Sequence, residues 1–112
     1  MTDHEFVSTL RKEVLNNYEL YENMLSTPIE QAQDEYWRRL LLMYSQVSEE
    51  QRSVMISIFR QVIIDTSSTI LGILDGTSGD QKKEFRLTYG DSEQLNGYLQ
   101  DIFLADEQSD KQ

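Results

Sequence analysis

Four stretches of this chain repeat apolar residues at spacings of three and four, the period of an amphipathic helix. In the first, Val7, Leu10, Val14, Tyr18, Tyr21 and Leu25 fall on one stripe, which predicts a helix over about residues 3–25. Thr2 and Glu5 stand three apart, the spacing of a capping box at its start. The second begins at Thr27-Pro28-Ile29-Glu30, where Thr27 can cap, Pro28 can take the first helical position and Glu30 can close the box. Its expected buried face is Ala32, Tyr36, Trp37, Leu40, Leu41 and Tyr44, ending near Val47.

The third pattern is the longest. Ser48 and Gln51 make another capping box, and Gly76 is placed to end the helix in the left-handed conformation. Met55, Ile58 and Val62 lie on one row; Ile56, Phe59, Ile63, Ile70 and Leu74 lie on the next. So broad an apolar arc predicts a central helix, covered on two or three sides. At the α-helical rise it spans roughly 40 Å. The fourth pattern, Leu95, Tyr98, Leu99, Ile102 and Phe103, predicts a helix starting at Asp91 or Ser92.

Between the third and fourth helices, GTSGDQKK reads as a loop. Phe85, Leu87 and Tyr89 then alternate with Glu84, Arg86 and Thr88, the period of a strand. With no second strand in the pattern, residues 84–89 are expected to be an extended loop or to pair with a second copy of the chain. The expected fold class is all-α: a four-helix, mostly antiparallel bundle with a long central third helix and a short extended segment near 84–89. Residues 1–104 form the expected single domain, and residues 105–112 an acidic tail frayed for want of apolar anchors.

The composition narrows the function. The chain has 112 residues, enough for one domain, with 38% hydrophobic residues and a formal charge of −10. Glu13–Glu35 holds six acids and no base, and so does Asp91–Asp110. Such stretches repel nucleic-acid phosphates and anionic membranes, and favour a basic protein partner. The apolar run Val54–Leu74 contains Arg60 and Asp65, each of which opposes membrane insertion by roughly 2.5–3.5 kcal/mol. It is therefore expected to be a buried helix of a soluble, cytoplasmic protein. No leader pattern is visible at the N-terminus.

There is no cysteine and a single histidine, His4. Thiolate chemistry, zinc sites and Ser/His or Cys/His nucleophile pairs have no residues to use. Gly72, Gly76 and Gly79 lack the following Lys-Ser/Thr of a phosphate loop. No cofactor is implied. Carboxylates at helical spacing, Glu19 with Glu22 and Glu30 with Asp34, leave one catalytic alternative, a carboxylate-dependent Mg²⁺ or Mn²⁺ hydrolase of helical-bundle type.

Asp65, Thr66 and Thr69 interrupt the apolar arc of the third helix. Asp65 falls on the row of Ile58, Val62 and Thr69 and is expected to face protein, where it must be paired, with Arg38 or Arg39 of the second helix or with Tyr hydroxyls. Together with Trp37, Asp65, Thr66, Thr69, Arg38 and Arg39 make the candidate polar pocket or partner contact. The six tyrosines and Trp37 also suit an interface, where such side chains dominate binding energy. At ILGILDG (Ile70–Gly76) and LNGYLQDIFL (Leu95–Leu104) the chain resembles small all-α bacterial proteins of uncharacterised function. In size and charge it is similar to immunity proteins, which neutralise a toxin by binding it. The functional expectation is a non-enzymatic interaction module, an immunity-type or regulatory partner, that pairs as a homodimer.

Overall fold

In the computed structural model, which describes residues 1–77, 85–91 and 93–110, the described residues form four α-helices and no strand. They are α1 (Asp3–Leu25), α2 (Glu35–Ser45), α3 (Glu49–Asp75) and α4 (Leu99–Asp110). The all-α class and the helix count are those the periodicity predicts.

α1 starts where the Thr2 hydroxyl accepts the Glu5 amide at 3.1 Å. α3 starts with the full box: Ser48 Oγ accepts from the Gln51 amide and Gln51 Oε1 accepts from the Ser48 amide. It ends at Gly76, whose φ of 79° lets the Thr77 amide reach back to the Gly72 carbonyl at 2.8 Å. A side chain at this left-handed position would clash with its own backbone, so glycine stops the helix here.

α2 departs from expectation. Pro28–Gln31 closes only one 3-10 turn, Ile29–Gln31, and the Thr27 hydroxyl donates back to the Asn23 carbonyl instead of capping. The chain re-extends at Ala32, and Asp34 becomes the cap, its carboxylate accepting the Trp37 amide at 2.8 Å. Residues 30–34 offer almost no apolar surface, so a helix there would have nothing to bury. The helix forms only where Trp37, Leu40, Leu41 and Tyr44 give it a face.

α4 also starts late, at Leu99 rather than Asp91; Ser92 lies outside the described residues. Gly97 sits at φ 139°, outside the helical region. The segment before it is organised by Asn96, which is buried. Its Nδ2 donates to the Leu74 and Phe85 carbonyls at 2.6 and 2.8 Å, and its Oδ1 accepts the Leu87 amide at 2.8 Å. Asp75, the last residue of α3, accepts the Gly97 and Gln100 amides at 2.6 and 2.8 Å and so supplies the N-terminal cap of α4. Gln100 then reaches Ser68 and Thr77.

Of the two forms expected for the extended segment, the structure shows the first, a loop held on its own chain. Glu84 lies outside the described residues, but 85–89 needs no second copy of the chain. Thr88 bridges Gln94, and the Leu95 amide donates to the Leu87 carbonyl at 2.7 Å. A side-chain amide has the donor and acceptor of a peptide group, so Asn96 stands in for a neighbouring strand.

α4 runs on to Asp110, beyond the point where fraying is expected; residues 111–112 lie outside the described residues. Its anchor is charged rather than apolar. Arg11 of α1 is buried, 5.6 Å above the Phe103 ring, and pairs with Glu107 at 3.6 Å and with Asp110. Glu107 and Asp110 stand three apart, on one helix face.

Contacts divide the chain into two compact units, Met1–Val14 with Ile64–Gln112 and Leu15–Ile63. In the first, Val7, Ile64, Leu71, Leu99 and Phe103 are almost wholly buried. Each such side chain contributes about 1.5–3 kcal/mol. In the second, Leu25, Tyr44 and Ile56 form a small core, flanked by Tyr18, Leu40, Met55 and Phe59.

Two substitutions test the polar fastenings. Asn96→Ala and Asn96→Asp both remove the amide donors, and each should lower stability in urea by about 2 kcal/mol, because buried backbone groups lose their partners. Arg11→Ala removes the buried guanidinium that faces Glu107 and Asp110 and should cost about 3 kcal/mol in the same assay. Wild-type stability in either case would remove the role assigned to that side chain.

Candidate functional site

The candidate residues fall into two groups, on α3 and on α2. On α3, Asp65, Thr66 and Thr69 are exposed. Asp65 was expected to face protein, and this is corrected. The buried line of the helix is instead Ile56, Ile64, Ser67, Ser68 and Leu71. An apolar arc this wide gives no signal of which edge is covered. The small residues decided it: Ser67, Ser68 and Gly72 turn inward, where Gln100 reaches Ser68, and the row containing Asp65 turns out. The Thr69 hydroxyl donates to the Asp65 carbonyl of its own helix at 2.9 Å.

On α2, Arg38 and Arg39 both take Glu35 as partner. Arg38 grips it with two nitrogens at 2.8 and 2.7 Å, and Arg39 at 3.3 Å. These hydrogen bonds, chiefly those from Arg38, hold the Glu35 carboxyl below the usual carboxylate range and raise Arg38. The pair therefore adds to stability above the ordinary carboxylate range, and that contribution is lost as pH falls. Both side chains are exposed, so the effect is that of a screened surface pair.

Trp37 is the candidate that opens onto a concave surface. Its ring stacks on Tyr21 with centroids 6.4 Å apart and 16° between planes, and meets Tyr36 edge-on at 5.9 Å. Both geometries suit the aromatic quadrupole. Around them lies a groove of about 490 Å³. α1 lends it Tyr21 and Leu25, and α2 lends Tyr36, Trp37 and Leu40. Phe59, Val62 and Ile63 of α3 complete the lining, which contains no charged residue.

Tyr21 and Tyr36 were expected on buried faces, yet they are 47% and 67% exposed. The α3 row beside the groove is as open: Val54, Ile58 and Val62 are each more than half exposed. Phe59 and Ile63 were read only as core, because a groove between helices leaves no mark on the period of any one helix. The aromatic positions were the one available signal.

A second hollow, of about 450 Å³, holds charges of both signs, Glu22 and Glu49 with Arg52 and Arg60. Arg52 is committed to structure. It lies 5.0 Å over the Tyr44 ring and donates to the Tyr44 and Ser45 carbonyls, closing the C-terminus of α2. Among the described residues, no three His, Asp or Glu side chains gather as a metal site would require. α3 is long and apolar enough to cross a membrane by length and composition alone, and 22% of its most apolar window is buried. The expectation of a buried third helix is corrected accordingly.

Trp37 is the sole tryptophan, so its fluorescence reports on the groove. Tyr21→Ala should shift its emission to longer wavelength as water replaces the stacked ring; an unmoved spectrum would mean the stack is absent in solution. Tyr36→Ala, at a position 67% exposed in the single chain, should change the stability of the monomer by less than about 0.5 kcal/mol. No protein-family model, curated protein or solved structure matches the chain.

Proposed function

We propose that this protein is a non-enzymatic interaction module that receives apolar side chains of a partner protein in the Tyr21–Trp37 groove. The observation behind this reading is the groove itself: stacked and edge-on aromatic rings, an uncharged lining, and open aliphatic side chains alongside. Surfaces with exposed Tyr and Trp over an apolar floor are where interface energy concentrates. Regulatory and immunity-type roles both work by such occupation of one protein by another.

The metal-hydrolase alternative draws no support from the carboxylates, which line no shared cavity with a third ligand among the described residues. The expected basic partner finds no carboxylate in the groove lining; the acids Glu19 and Glu22 act on it only by long-range attraction. The reading places the protein in the cytoplasm, consistent with a chain lacking cysteine.

A photo-crosslinking amino acid in place of Tyr36 tests the proposal in the cells that express the protein. Irradiation should yield a discrete adduct whose added mass is a protein, and Trp37→Ala should abolish it. If irradiation yields no protein adduct, the groove is not a protein contact and the reading fails.

A further inference from the structure

Resting on the reading of the groove as a protein contact, we propose that what covers it and the adjoining row of α3 is a second copy of this chain, related by a two-fold axis near Ile58. A chain of net charge −10 repels its own copy over most of its surface. A two-fold contact sets each surface patch against itself, so like charges would meet across the axis. Such a contact is tolerable only where acids are missing. Arg52–Ile64 is a stretch of α3 without one, and it bears the open row Val54, Ile58 and Val62.

The geometry of that row suits self-pairing. The three residues are four apart, on one helix face, and span about 12 Å. About a two-fold axis, Ile58 meets its own copy while Val54 of each copy meets Val62 of the other. Val62 also lines the groove, so the contact extends from the row to Tyr21 and Tyr36. With about 100 Å² lost from each of Val54, Ile58, Val62, Tyr21 and Tyr36, the two copies together bury roughly 1,000 Å², the threshold a biological interface has to clear. A basic partner fits less well. Its lysines would lose water over a lining that offers no carboxylate in return.

The pairing inferred here needs no strand exchange, because residues 85–89 are already bonded within their own chain. It predicts a salt dependence. Charge repulsion between copies is screened as the Debye length falls, from roughly 30 Å at 0.01 M to 10 Å at 0.1 M. Dimerisation should therefore tighten as salt rises.

Sedimentation equilibrium of the full chain at tens of micromolar and 0.15 M salt should give twice the 13.1 kDa monomer mass. Ile58→Glu and Val62→Glu each set a carboxylate against its own copy and should give monomers with unchanged helical circular dichroism. Because the chain has no cysteine, Ile58→Cys with a short bismaleimide should give a covalent dimer, which decides the matter if the Glu variants unfold. A wild-type monomer even at 0.5 M salt overturns the proposal. So does a dimer that survives both Glu substitutions, or an Ile58→Cys chain that does not crosslink. If the wild type is monomeric while the Tyr36 crosslink captures a different protein, self-pairing falls and the interaction reading stands.

Discussion

The twenty-seven residues of α3 place apolar side chains around more of the helix than the chain covers, and much else in the structure answers to that excess. Burying every apolar residue of such a helix requires neighbours on several sides. Here the covered line runs through Ile56, Ile64 and Leu71, with Ser67, Ser68 and Gly72 on the same side. Val54, Ile58 and Val62 are left open. Water in contact with that row is the unfavourable term that a partner surface would remove.

The C-terminal end of α3 meets a different constraint. Its last carbonyls and the first amides of α4 both lack partners within their own helices. Asp75 and Asn96 answer both needs in one place, the first capping α4 and the second accepting and donating across Leu74, Phe85 and Leu87. This replaces the sheet partner that the alternation of residues 84–89 calls for. At the other end of α4, Arg11 holds Glu107 and Asp110 by charge where apolar anchors are missing. A buried arginine is tolerated because carboxylates face it and an aromatic ring lies beneath it.

The surface left by these constraints is aromatic and uncharged in a chain that is otherwise acidic. Tyr21, Tyr36 and Trp37 are amphipathic, able to stand half in water while offering large rigid faces. Long-range charge and short-range contact therefore pull in different directions. A partner seated there would meet the field of the acids at a distance and an uncharged lining on contact.

Local patterns by themselves determined the all-α class, the capping boxes of α1 and α3, and the glycine stop at Gly76, because each depends on residues within one or two turns of one another. Trp37 was legible as a candidate from its type alone, and the structure sets it in the lining of a groove. Tertiary structure decided the rest. Before α2 the sequence signals a cap at Thr27, but the apolar face beyond Glu35 sets the start at Asp34. The cap of α4 comes from Asp75 in another helix, and the anchor of its last turns from Arg11 in a third, so no local spacing announces either. The outward turn of Asp65 has the same origin. A wide apolar arc is compatible with several orientations of the helix, and only the packing of Ser67, Ser68 and Gln100 selects one.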